Sequence, residues 1–130
     1  MTSLRPARLT SALLALALAS CGGDLSPIVS AEIQGADGSH ALSQRQVNAL
    51  NDWLTSHRSG WGLVLATPPG ADLVVVVRRE DGKSGSLSFY PQPGWQGALT
   101  YFASDPKDNG QGSFAVDQVR ALRSTLVSQD

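Results

Sequence analysis

Leu73-Val74-Val75-Val76-Val77-Arg78-Arg79, then Glu80-Asp81-Gly82-Lys83, then Ser84-Gly85-Ser86-Leu87-Ser88-Phe89 is the stretch on which the fold turns. Four consecutive valines favour an extended chain, because a β-branched side chain is stiff at χ1 and packs well on a pleated surface. Asp81-Gly82 stands at the centre of the following four residues, the pair that a two-residue type I′ hairpin prefers. Closing the hairpin there sets Val76 opposite Leu87 and Val74 opposite Phe89. It also sets Val75 opposite Ser88 and Val77 opposite Ser86. Alternate strand positions point to opposite faces. One face of the hairpin is therefore expected to be apolar and to meet helices, and the other is mixed and suits solvent or a partner.

Working outward, Trp61 to Ala66 reads as a strand before this hairpin, with Thr67-Pro68-Pro69-Gly70 as the intervening turn. After it, Pro91 to Gly97 is a loop and Ala98 to Ala103 a further strand. Asp105 to Ser113 is polar and glycine-bearing and reads as a loop. Ile28 to Gly35 is a strand candidate closed by an Asp37-Gly38 turn.

Two helices flank the sheet. The first, expected over residues 44–58, has Ser43 as its N-cap and Gln46 three residues on, a capping box, with Leu42 and Val47 in the staple positions. Val47, Leu50, Leu54 and His57 share one face, and Gly60 ends it. The second is expected over residues 115–128, with Ala115, Val119, Leu122 and Leu126 inward. Gln46–Leu54 and Gln118–Leu126 share a Gln-Val-x-Ala-Leu pattern, as two amphipathic helices drawn from one residue alphabet do.

The expectation is an α+β domain: four to five antiparallel strands with two helices packed on one face, in the order β-α-β-β-β-β-α. The expected core is Val47, Leu50, Leu54, Leu63, Leu65, Val74, Val76, Leu87, Phe89, Val119, Leu122 and Leu126. A strand, a helix and a four-strand meander is similar to the element order of cystatin-like folds. That is a likeness of topology alone, and fold does not fix function.

The N-terminus has a separate logic. Arg5 and Arg8 precede an apolar stretch over residues 9–19 that is too short to span a bilayer. Leu18-Ala19-Ser20-Cys21 closes it, and Cys21 is the chain's one cysteine. The segment 1–21 resembles the lipobox signal of bacterial lipoproteins. The resemblance implies removal of residues 1–20, lipidation of Cys21, and a tether over residues 21–27 before a domain at 28–130. With Gly22 rather than Asp after the cysteine, it further implies an outer-membrane lipoprotein whose domain faces the periplasm. Two or three acyl chains hold firmly where one holds weakly.

Removing residues 1–20 from the 130 leaves 110, about one domain. Ten basic residues less Arg5 and Arg8 leave eight against eleven acids, a charge of −3. The densest cationic pair, Arg78-Arg79, runs straight into Glu80-Asp81, so nucleic acid is excluded as a partner. A domain with no second cysteine forms no internal disulfide.

Catalytic signals are sparse. His57 lies on the apolar stripe and His40 in a turn, and no Gly-x-Ser-x-Gly elbow is present. Gly82-Lys83-Ser84 lacks the upstream glycine of a phosphate loop, where the chain has Val77. Gly110-x-Gly112-x-x-Ala115 lacks the strand and acid that a dinucleotide site needs. Asp105 to Gly110 lacks the remaining ligands of a calcium loop, Lys107 and Val116 standing where oxygen donors belong. No cofactor or metal is therefore expected. Phe89 inward leaves Tyr90 outward, with Trp95 in the loop close by, a pairing that would suit a protein partner in the envelope. The reading is a non-catalytic binding role, in protein capture, inhibition or immunity, or as an envelope accessory. The alternative is a small hydrolase using His57 or His40.

Overall fold

A computed structural model describes residues 25–35 and 38–128. The expected signal segment, Cys21, residues 22–24 of the expected tether and Asp37 of the expected turn lie outside the described residues. Among the described residues, no helix is long and apolar enough to cross a membrane.

The molecule is α+β, with an open antiparallel sheet and two helices. Its strands are β1 (Ile28–Gly35), β2 (Gly38–Ala41), β3 (Trp61–Gly62), β4 (Leu73–Arg79), β5 (Ser84–Phe89), β6 (Ala98–Ala103) and β7 (Gly110–Ser113). Helix α1 (Gln44–Ser56) follows β2 and α2 (Val116–Val127) follows β7. The sheet has seven strands in the order β2-β1-β4-β5-β6-β7-β3, not four or five. Of the expected strands, β1, β4, β5 and β6 are present and the 61–66 strand is shortened to the two-residue β3 on the far edge, apart from β4. The additions are β2, a hairpin partner of β1, and β7, which lies between β6 and β3.

The β4–β5 register differs from expectation by one residue. Arg79 N–H donates to the Lys83 carbonyl at 2.8 Å and Gly82 N–H to the Arg79 carbonyl at 2.9 Å. Three residues, Glu80-Asp81-Gly82, therefore make the turn, with Gly82 at φ +87° in the region a side chain disfavours. Val75 thus faces Leu87, and Leu73 faces Phe89. A one-residue slip sends every side chain of the strand to the opposite face. Leu73, Val75 and Val77 are buried against the helices, while Val74 and Val76 are half-buried on the other side.

Leu63 and Leu65 also leave the expected core: they are 77% and 85% exposed. The strand expected over 61–66 stops at Gly62, because the chain must then travel from the sheet's edge to β4 near the opposite side. Gln111 Nε2 donates to the Ala66 carbonyl and Gln92 Nε2 to the Gly70 carbonyl, each at 3.3 Å. Thr100, cross-strand partner of Gln111, is fully buried on the face away from the helices. The stretch from Ala66 to Gly70 thus lies over the face expected to be open. Asp105–Ser113, expected as a loop, holds a 3-10 turn at Pro106–Asp108 and β7.

Both helices pack on the other face. Val47, Leu50, Val119, Leu122 and Leu126 join Leu87, Phe89 and Leu99 in one core, and Leu54 packs partly buried against it. Full burial of a Leu or Phe contributes about 1.5–3 kcal/mol. The Ser43–Gln46 capping box forms as read, and Leu42 is buried with Val47. Ala115 is the N-cap of α2 and exposed, not part of its inward stripe.

Candidate functional site

Cross-strand rows on the helix-facing side explain where the packing opens. The row Leu73–Phe89–Leu99 is large, and the helices close over it. The row Ala31–Val77–Gly85–Ala103 is small. At Gly85 a side chain would collide with the Tyr101 ring, so the glycine gives Tyr101 its place. The taper leaves a cavity of about 490 Å³ between α1 and the sheet, within the range that holds small molecules.

Its floor is Ile28, Val77, Leu87 and Tyr101, and α1 supplies Asn51, Leu54 and Thr55 as the facing wall. Asn51 fixes that wall to the strand: Ile28 N–H donates to Asn51 Oδ1 at 2.9 Å and Asn51 Nδ2 donates to the Ile28 carbonyl at 2.8 Å. Leu25, Ser26 and Pro27, the residues just before β1, line the cavity too, as does the exposed Leu63. On the opposite side Asn109 Oδ1 accepts from Ala103 N–H at 2.6 Å and fixes the turn that carries Lys107 and Asp108.

Arg79 ends β4 inside this cavity and is 8% exposed. Its Nε donates to the Tyr101 hydroxyl at 3.0 Å, and its guanidinium carbon lies 5.0 Å from the centre of the Tyr101 ring. An Nη group donates to the Ser26 carbonyl, so a cation of the sheet holds the segment that precedes β1. Nothing in the strand pattern marked Arg79 as interior, since a charged residue at a strand end reads as exposed. The one-residue turn shift puts it on the helix-facing side.

No family model, curated protein or solved structure matches this chain.

The residues singled out from sequence fall elsewhere. Tyr90 is 4% exposed, not outward-facing. The β5 ladder ends at Phe89, whose carbonyl accepts from Asp72 N–H at 3.1 Å, and strand alternation no longer governs the next residue. Trp95 is half-buried and meets the Tyr90 ring edge-on at 5.4 Å. His57 is stacked on Trp53 at 3.9 Å and edge-on to Phe114 at 5.7 Å. Its Nδ1 lies 2.8 Å from the Trp53 carbonyl and its Nε2 3.1 Å from Gln118 Oε1. The nearest hydroxyl, Ser56 Oγ at 3.2 Å, is itself directed at the Asp52 and Trp53 carbonyls. Catalysis by His57 would need a positioned nucleophile and an orienting group; the ring is instead one wall of an aromatic cluster. His40 is exposed on β2. Among the described residues, no group of His, Cys, Asp and Glu is placed to hold a metal ion.

Proposed function

We propose that this chain is a lipoprotein held at the outer membrane by Cys21, with a periplasmic domain that binds a small ligand without catalysis. The observation that carries the binding reading is the cavity between α1 and the sheet: it is apolar-floored, walled by pinned side chains, and carries a buried arginine. With Tyr90 drawn into the interior, the aromatic platform imagined for a protein partner is reduced to Trp95, and the cavity is the better-formed site. His57, engaged at both ring nitrogens, supports binding over hydrolysis. The anchor rests on the Leu18-Ala19-Ser20-Cys21 pattern.

The test of the cavity is a titration with phenylnaphthylamine, an uncharged apolar fluorophore. One molecule should bind per chain. Thr55→Trp, an exposed helix position on the cavity wall, should block it with the unfolding midpoint unchanged. Equal binding by both proteins would sink the reading. The anchor is tested separately: Cys21→Ser should move the protein from the membrane to the soluble fraction.

A further inference from the structure

The ligand class can be taken further, on the reading that the cavity is the binding site. The mature chain carries an acidic excess, eight basic residues against eleven acids. The cavity wall inverts that balance, with Arg58, Arg79 and Lys107 against Asp108 alone. Asp108 pairs with Lys83 at 3.9 Å, and Lys107 lies 3.7 Å from Asp105, a surface pair that an anionic ligand would have to compete with. A buried charge is costly unless it is paired. Among the described residues, the hydrogen bonds of Arg79 go to the neutral Tyr101 hydroxyl and Ser26 carbonyl, and the Asp81 carboxylate acts on it electrostatically without a hydrogen bond. The two hydrogen bonds engage its Nε and one Nη, and a guanidinium carries five N–H donors in a fork suited to carboxylate or phosphate oxygens. Beside this cationic end lies an apolar floor of Ile28, Val77 and Leu87.

The position of the tether points to the source. Leu25 lines the cavity and stands four residues after Cys21, a separation that can span at most about 14 Å. Leu63, on the same lining, presents an exposed apolar side chain. A cavity opening beside the membrane anchor meets molecules leaving the bilayer first.

We propose that the cavity takes a single-chain anionic amphiphile from the membrane, its acyl chain on the apolar floor and its carboxylate or phosphate head on Arg79 and Lys107. The volume of about 490 Å³ suits a ligand of one chain rather than a multi-chain lipid such as the modified Cys21 itself.

The experiment is displacement of phenylnaphthylamine by palmitate and, in parallel, by hexadecanol, both below their aggregation limits. The protein is the full chain carrying Cys21→Ser, which leaves no acyl anchor to compete for the probe. Palmitate should displace at a concentration about tenfold or more below that of hexadecanol, as expected for one charge-assisted hydrogen bond. Arg79→Met should abolish that preference and leave hexadecanol unaffected. Because Arg79 is buried, Lys107→Gln serves as the second variant: Lys107 is exposed, so the fold is undisturbed, and the preference should fall several-fold. Equal displacement by palmitate and hexadecanol overturns the anionic head while leaving the cavity reading intact. Absence of any probe binding overturns both.

Discussion

Gln46 and Leu126, 80 residues apart, join the two helices: the Gln46 side-chain nitrogen donates to the Leu126 carbonyl at 3.2 Å. The same nitrogen reaches the Thr125 and Ser128 carbonyls at 3.1 and 2.9 Å, and its oxygen accepts from Ser43 N–H at 2.8 Å. One buried amide thus closes the N-terminus of α1 and the C-terminus of α2, where backbone groups have no intrahelical partners. Gln46→Ala should cost about 2 kcal/mol and lower the thermal midpoint by roughly 10 °C. Gln46→Glu keeps the Ser43 contact but turns a carboxylate on three carbonyls, and should cost more. A Glu variant as stable as the parent would show that the carbonyl contacts contribute nothing.

Asp72 and Arg123 form a fork between the start of β4 and α2, with N–O distances of 2.8 and 2.6 Å. The Arg123 hydrogen bonds hold the Asp72 carboxyl below its usual 3.8. A carboxyl lowered on folding contributes stability that is present above 3.8 and lost as the pH falls through the folded value. Both side chains are about a third exposed, so the gain is about 0.5 kcal/mol. Asp72→Asn should lower the urea midpoint slightly at pH 7, and the deficit should shrink on acidification below 3.8 and vanish once the pH has passed the lowered folded value. A deficit that persists in acid would assign the effect to packing.

Trp95 holds Tyr90 in place by an edge-on contact, and its backbone closes the loop: its N–H donates to the Gln92 carbonyl and its carbonyl accepts from Ala98 N–H, both at 3.0 Å. Trp95→Ala should therefore lower the unfolding midpoint by several degrees. Tyr90→Ala should cost more, about 3 kcal/mol, as for a buried aromatic truncated to alanine. Unchanged midpoints in both would return the pair to the role of a surface platform.

What was legible in the sequence was local. Ser43, Gln46 and the stripe through Val47 and Leu50 marked α1 because capping and periodicity act within a few residues. Ala98–Ala103 was read to its observed ends. Asp81-Gly82 marked the hairpin too, but a type I′ turn and a three-residue turn both welcome that dipeptide. Four identical valines gave no alternation by which to choose, so the register and the faces of Val74 to Val77 depended on one residue of turn length. Leu63 and Leu65 misled for another reason: their alternation is strand-like, yet the edge position of β3 sends the chain across the sheet. The cavity depends on Gly85 facing Tyr101 and on Arg79 turning inward. Both are cross-strand relations that the chain alone does not display.

Leu63 and Leu65 provide the last test, because their exposure is the reverse of what their hydrophobicity suggests. Large apolar side chains held in water, one of them on the cavity lining, fit a segment that rests against a bilayer surface. The double change Leu63→Ser/Leu65→Ser removes little buried area, so the unfolding midpoint should stay within a degree or two. In a Cys21→Ser background, where no acyl chain dominates attachment, the parent should sediment weakly with phospholipid vesicles. The double variant should lose most of that attachment. A large drop in midpoint would place the leucines in a core. Unchanged sedimentation would turn this segment away from the membrane and remove one support for a ligand drawn from the bilayer.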